Sequence, residues 1–509
     1  QDESSIEYDG GDVDDVAKMS NNPLDILTDN WSVNSRYRRD MFGGETTFKL
    51  GYATIEDSQF EQEEEIDFGD PEIGDEEIEG TRVDTDLTDE ELQAAIEHKI
   101  QLGGGMQLEF GVQYSDKNRE TSVFQSEAKV EGEPTFRPLL DSEYADYEAV
   151  PGGVNTIEET RLDPYVMLSG ENGPAKWEAG LRYETTDVTI TDETVDAADR
   201  VSEKDYGILL PSASVRFKLS ETDRITASVA RTVRRPNFDF ISPAVLEGEY
   251  GDNDFRGNPD LEPETAWGVD LGFERRLGRR GVIGINAFYR DITDLIELTN
   301  TGDFSDEAIG NAEDARDEIL DEGGTAEEAQ EAYDGELTSF VLTAENVGDG
   351  QVWGVEFDMS TPLDFIGMEH TGVFLNYSWL DSSVDDFMGD RRFNSQSDYV
   401  FNLGFTQDIP TWGAAFGATY RKQGDAESRI FGEEVVTSYG GDLEIFVEKQ
   451  VASNVVIRLT GSNLLDSSKD EVFDKFNTIE DQIDRDYDEY EIETEKSGPW
   501  FQVVARMAF

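Results

Sequence analysis

The 509-residue sequence predicts an all-β fold, a transmembrane antiparallel β-barrel. Three observations predict it: segments of about ten residues that alternate apolar and polar side chains, connections that alternate between short and long, and acidic residues gathered in the long connections. The alternation is cleanest at the C-terminus. There Phe501, Val503, Ala505, Met507 and Phe509 share one face, and Trp500, Gln502, Val504, Arg506 and Ala508 share the other. Successive side chains point to opposite faces of a strand, so the first set can meet lipid while Arg506 enters a wet lumen.

The pattern recurs. Trp177, Ala179, Leu181 and Tyr183 alternate with Glu178, Gly180, Arg182 and Glu184, and Trp267, Val269, Leu271 and Phe273 alternate with Gly268, Asp270, Gly272 and Glu274. Trp353 to Met359, Tyr399 to Phe405 and Leu443 to Val447 repeat it. A soluble β-sandwich would alternate in the same way, so this pattern alone leaves both architectures open. Aromatic residues at strand ends, such as Trp177, Tyr183, Trp353, Trp379, Tyr399 and Tyr420, favour the barrel, because amphipathic rings line both edges of a membrane-facing band.

Connection lengths give the orientation. Counting back from Phe509, short turns near 450–453, 408–412, 362–369, 277–281, 219–223, 170–175, 101–105 and 39–45 alternate with long connections. The long ones span 464–498, 425–436, 384–394, 298–340, 235–263, 188–205, 119–159 and 56–89. Outer-membrane barrels turn tightly in the periplasm and loop widely outside, so the C-terminus is expected in the periplasm and the long loops outside. The count gives about seventeen strands within residues 31–509, with residues 1–30 expected as an extracellular loop segment.

Composition fits this division. The formal net charge is −73, from 114 Asp and Glu against 41 Lys and Arg, yet there are 29 Phe, 18 Tyr and 7 Trp. A disordered acidic chain would be poor in aromatics; here the acids lie apart from them, in 61–90, 302–340 and 466–495. Such runs are expected as solvated outer surface, with cation capture or divalent bridges to lipopolysaccharide as the functional alternative. The Ala- and Glu-rich segment 306–333 is predicted to be helical within its loop. No cysteine is present, which excludes disulfides and thiolate metal sites, and two histidines, His98 and His370, cannot build a multi-histidine zinc site. No resident cofactor is expected. Asp381 to Asp386 and Asp9 to Asp15 are oxygen-rich without EF-hand spacing, so a divalent cation in an outer loop stays open with no location. No stretch approaches the ~18 apolar residues of a membrane helix, while a barrel strand needs only ~9–11.

Several segments resemble the TonB-dependent receptor family. Arg234-Arg235-Pro236-Asn237-Phe238, followed by Gly257-Asn258-Pro259-Asp260-Leu261-Glu262-Pro263-Glu264, is similar to the family's "R-x-P … G-N-P-x-L-x-P-E" loop. Gly281 to Ile292 resembles its next strand, and Asn346-Val347-Gly348 with Gly354-Val355-Glu356 its "N-x-G … G-x-E" step. Gly461-Ser462-Asn463-Leu464-Leu465-Asp466 resembles "G-x-N-L-F-D", and Phe509 matches the terminal aromatic read by the barrel-assembly machinery. The four motifs occur in the family's order. Two prolines, Pro259 and Pro263, also stiffen that loop for a physical reason of their own.

The resemblance implies a bacterial outer-membrane location and energy-coupled import of a scarce or bulky substrate. It also implies a barrel of about 22 strands, a plug domain and a segment that contacts TonB. Neither plug nor TonB-contacting segment is found in the sequence, and the strand count falls short. The chain, which begins at Gln1, is therefore expected to be a processed or partial product. The plug and first strands are expected from a separate N-terminal polypeptide or from a part of the protein outside this chain, with TonB acting through that plug. Lipid, lipopolysaccharide and surface lipoproteins are the other expected partners, and nucleic acid is not.

Phe238, Phe240, Tyr250 and Phe255 around the Asn-Pro loop form the candidate capture surface, because rigid aromatics stack on sugars or flat chelates. The plainer alternative is packing between neighbouring loops. The phrasing of Phe110 to Asp116 and Gly180 to Glu184 resembles large-barrel receptors tied to oligosaccharide uptake, so an oligosaccharide is the expected substrate. A siderophore or metal-complex receptor is the alternative, although acidic loops would repel an anionic chelate. A passive porin or structural surface barrel is the reading from a different class. An enzyme is not expected, since neither histidine lies beside a nucleophile motif.

Overall fold

In hydrocarbon an unpaired backbone N–H or C=O costs several kcal/mol, so a chain of alternating strands must pair every strand with its neighbours. The computed structural model describes residues 2–8, 16–68, 77–132, 135–250, 253–321, 323–335, 337, 339–476, 478–487 and 489–508. Phe509, the expected assembly signal, and Asp9 to Asp15 lie outside the described residues.

Seventeen strands form one continuous wall. The first eight are β1 (Val16–Met41), β2 (Gly44–Asp67), β3 (Glu77–Gly103), β4 (Met106–Glu131), β5 (Glu148–Asn172), β6 (Ala175–Asp192), β7 (Val201–Lys218) and β8 (Asp223–Arg234). After the Asn-Pro loop follow β9 (Glu264–Leu277), β10 (Gly281–Phe304), β11 (Phe340–Pro362), β12 (Thr371–Asp386) and β13 (Tyr399–Ile409). The wall ends with β14 (Ala414–Gln423), β15 (Asp442–Ala452), β16 (Val455–Ser462) and β17 (Trp500–Met507). Each strand pairs antiparallel with the next in sequence, as the short-turn and long-loop rhythm predicts. Among the described residues β1 and β17 do not pair with each other, and the sheet stays open.

Register carries one apolar face across the wall. Leu271 lies opposite Ala227 and Ala287, Ala287 opposite Val355, Val355 opposite Trp379, and Trp379 opposite Tyr399. These side chains point away from the protein: Leu271 is 57% exposed, Val269 51% and Val503 70%. A soluble sandwich would bury that face against a second sheet, so the exposure settles the ambiguity in favour of a membrane wall. The inner face is polar and braced, with Arg290 Nη2 2.7 Å from Asp270 Oδ1 and Asn286 Nδ2 donating to Glu356 Oε2 at 3.1 Å.

Two expectations change at the long-loop end. Residues 2–8 form a strand paired antiparallel with β1 and residues 16–30 belong to β1, so neither is a loop, and the acidic stretch 61–90 lies largely in the β2–β3 hairpin, where Glu61 faces Val83 and Glu65 faces Glu79. β1 to β4 run 26, 24, 27 and 26 residues, far beyond the ~9–11 that lipid requires. Burial of Ile66 and Ile78 with Ala128 and Leu139, and pairs such as Lys18–Glu65, hold this extension together. Segment 306–333 is helical as predicted, in helices Asp306–Asp321 and Ala326–Gly335. Five short strands, among them Ala426–Ile430, Glu433–Tyr439 and Ser468–Lys475, form a separate small sheet from the loops.

The orientation of the two faces is testable. Leu271→Arg, on the outer face, is expected to destabilise the protein by about 2–4 kcal/mol in lipid, and Asn286→Arg, on the inner face beside Glu356, by far less. Urea unfolding in vesicles measures both; equal losses would contradict the assignment of faces.

Candidate functional site

The inner wall becomes a site where the segment after β8 crosses it. Arg235-Pro236 ends the strand, since Pro236 has no N–H to continue the ladder. Asn237 then caps the one-turn helix Phe238–Ile241 by accepting from the Phe240 amide at 2.9 Å. This turn lies against strands far from it in the wall. Asp239 pairs with Arg119 of β4, and Ser242 Oγ receives Asn155 Nδ2 of β5 at 3.1 Å. Gly152 has φ +69°, and a Cβ there would sit 2.0 Å from the Pro243 carbonyl oxygen, so the close approach requires glycine.

The family-like motif residues meet one another behind this turn. Asn258 donates from Nδ2 to the Ala344 carbonyl at 3.0 Å, and its amide donates to the Phe240 carbonyl at 2.7 Å. Asn346 Nδ2 donates to the carbonyls of Glu262 (3.0 Å) and Asp294 (2.9 Å), while its Oδ1 accepts from the Glu262 amide at 2.9 Å. Lys204 Nζ holds the Leu261 carbonyl at 2.8 Å. Each of these residues anchors loop backbone, which accounts for why the motifs occur together.

The candidate aromatic residues separate. Phe255 is 3% exposed, and its ring lies tilted against that of Phe240 with centroids 6.0 Å apart. Phe240 and Phe238 pack on a buried cluster of Ile157, Val188, Ile190, Ile241, Leu261 and Ile296. Phe238 also reaches the surface of a cavity, and the Tyr250 side chain lies outside the described residues.

That cavity has a volume of about 460 Å³, within the range of small-molecule sites. Asp89, Glu91, Lys117, Arg119, Glu159 and Phe238 are prominent in its lining, together with Arg161 and Arg235. Arg119 pairs with Asp89 at 2.6 Å as well as with Asp239, and its guanidinium lies 5.4 Å from the Phe238 ring centre. Beneath the cavity Asp163, 1% exposed, accepts from Arg161 and Arg182, both at 2.8 Å. Glu184 accepts from Arg182 at 2.7 Å and from Arg235. Burying carboxylates costs several kcal/mol each unless they are paired, and this mesh pairs them while fixing Arg235 at the root of the crossing turn.

Sequence reading missed these charged residues. Their signal is parity: Leu162 and Tyr183 point outward, so Arg161, Asp163, Arg182 and Glu184 point inward. Their convergence depends on cross-strand register, which the sequence does not carry.

At the long-loop end Asp386 joins β12 to two loops. It accepts from Arg391 Nε at 2.7 Å and Arg429 Nε at 2.9 Å, and Arg391 also pairs with Glu297 at 2.7 Å. Asp381 pairs with Arg392 at 3.2 Å, so this oxygen-rich stretch is occupied by arginines. Among the described residues no group of three or more His, Cys, Asp or Glu is placed to hold a metal ion. His98 is buried against Thr46 Oγ1 at 2.8 Å, and His370 sits at φ +67° in a turn.

The Asp386 cluster has a calculable pH response. Burial opposes its charge, but the Met388 amide and the guanidiniums of Arg429 and Arg391 outweigh burial and hold the carboxyl below its ordinary range. A lowered folded pKa means that the contribution is complete above the unfolded value of about 3.9 and is lost as pH falls through the lower folded value. Hydrogen exchange of amides in 384–394 and 426–430, corrected for intrinsic rates, is expected to stay slow at neutral pH and accelerate below about pH 4. Asp386→Asn should remove that dependence; an unchanged acid response in the variant would contradict the assignment.

The sequence profile described as "TonB dependent receptor-like, beta-barrel" matches residues 3–464. No curated protein matches the sequence. Among solved structures, a copper transporter, OprC, is similar at a TM-score of 0.56 and 11% identity, over 99% of this chain and 74% of that one. The siderophore receptor PiuA from Acinetobacter baumannii is similar at 0.55 and 11%, over 99% and 78%. The iron transporter FrpB (F5-1 variant) from Neisseria meningitidis is similar at 0.51 and 10%, over 99% and 74%.

Proposed function

The chain belongs to the TonB-dependent receptor family of outer-membrane β-barrels, and from that membership we propose that it imports a scarce metal complex by energy-coupled transport. The carrying observation is the family match across residues 3–464, joined to an inner wall whose charged cavity is braced by the family-like motif residues. Metal is proposed over oligosaccharide because the structural neighbours are named for copper, siderophore and iron transport, and none of the comparisons supports the oligosaccharide expected from strand phrasing. Electrostatics narrows the cargo. A chain of net charge −73 repels anionic chelates and favours neutral or cationic ones.

The long loops would then face the exterior and the C-terminus the periplasm, with TonB acting through a plug outside this chain. Strands outside this chain would occupy the edge of β17 and the part of the β1 edge beyond its antiparallel pairing with residues 2–8. Those two strands run in the same direction, so joining them directly would give a parallel pair. An odd number of intervening strands restores antiparallel pairing and an even total.

Uptake tests the reading. In cells whose own iron receptors are deleted, expression of the full-length protein is expected to drive accumulation of a neutral ferric hydroxamate above that of ferric citrate. Deleting TonB should return both to background. Accumulation that persists without TonB would put passive diffusion in place of coupled import.

A further inference from the structure

The cavity under Phe238 carries a buried carboxylate, Glu159. Glu159 is 6% exposed and lines the cavity, and among the described residues it has no hydrogen-bonding or ion-pairing partner. Arg235 attracts its charge without bonding it, and a carboxylate buried to this degree with no direct donor favours a cation that can hydrogen-bond to it.

Neighbouring charges identify what is lacking. Arg119 serves two carboxylates, Asp89 and Asp239, while Arg161, Arg182 and Arg235 serve two others, Asp163 and Glu184. Arg235, the guanidinium in excess in the second group, also attracts Glu159 across the cavity. Glu91 and Glu159 remain, flanking Lys117 in register across β3, β4 and β5. Glu91 accepts only from neutral groups, Gln93 at 2.5 Å and Ser115 at 3.3 Å. Lys117 has no ion pair among the described residues and stands 6.0 Å from the Phe238 ring centre. With Glu90, which accepts from Tyr52 and also borders the cavity, seven carboxylates stand against five cations in and beneath it.

We propose that the cavity binds an organic cation, an ammonium or guanidinium group seated on the Glu159 carboxylate with Phe238 as its aromatic wall. A bare divalent ion is disfavoured, because no three ligating side chains converge among the described residues. A cationic group needs one carboxylate and an aromatic face, and the cavity offers both. The volume of about 460 Å³ admits a group of that size with part of the molecule that carries it. The inference rests on the cavity as the place where cargo meets the wall. It does not rest on energy coupling, since binding is read without transport.

The test uses purified full-length protein in neutral detergent, with benzylammonium as probe and benzoate as its anionic counterpart. High ionic strength suppresses attraction to the acidic surface at large. Calorimetry is expected to give saturable binding of benzylammonium at one site and none of benzoate. Glu159→Gln should weaken it at least about tenfold, the scale of a charge-assisted hydrogen bond. Phe238→Leu should weaken it severalfold, and Glu221→Gln, in a distant short turn, should leave it unchanged. Equal binding by Glu159→Gln or by Phe238→Leu, or binding of benzoate as strong as that of benzylammonium, would overturn the proposal. If Glu159→Gln loses its folded, heat-resistant mobility, Phe238→Leu decides alone. Failure of import with binding intact would leave this site standing and remove the transport reading; the reverse result would do the opposite.

Discussion

Everything in this molecule depends on the requirement that backbone polar groups in hydrocarbon find partners. A β-wall meets it by pairing each strand with its neighbours, and two consequences follow. Side chains are forced into a period of two, one set to lipid and one to the lumen. Each strand is also locked to its neighbours' register, so a row such as Leu271, Ala287, Val355 and Trp379 is fixed at one height by the ladder. The apolar band and the charged inner face are two sides of the same constraint.

The site is built on that ladder. Register places Asp89, Arg119, Glu91, Lys117 and Glu159 in two neighbouring rows on the inner face of β3, β4 and β5. The ladder cannot supply the opposite side of the cavity, which comes from the turn after β8. That turn is rigid for local reasons, the Pro236 break and the Asn237 cap, and is carried by Asn258 and Asn346 from behind and by Arg119 in front. Residues that look like family signatures thus act as backbone anchors, and the cavity residues are others.

How legible this was from sequence differs by feature. Strand parity was plain wherever apolar residues alternate with Gly and Glu, as from Trp267 to Glu274, and the rhythm of turns gave seventeen strands and their order. The outward extensions of β1 to β4 were not legible, because in stretches such as Glu61 to Asp67 both faces are polar and alternation has no contrast to show. Phe255 and Phe238 read alike as loop aromatics; only packing tells that Phe255 is buried and Phe238 borders a cavity. The Arg161, Asp163, Arg182 and Glu184 mesh could be assigned to the inner face by parity, but not assembled without register.

One face of each strand meets lipid and the other meets the aqueous lumen. Spin labels placed singly from Trp353 to Met359 in β11, with the protein in lipid vesicles, measure this most directly. Labels at 353, 355, 357 and 359 are expected to collide preferentially with oxygen, and those at 354, 356 and 358 with a water-soluble paramagnetic complex. Uniform accessibility along the strand, or the opposite phase, would contradict it.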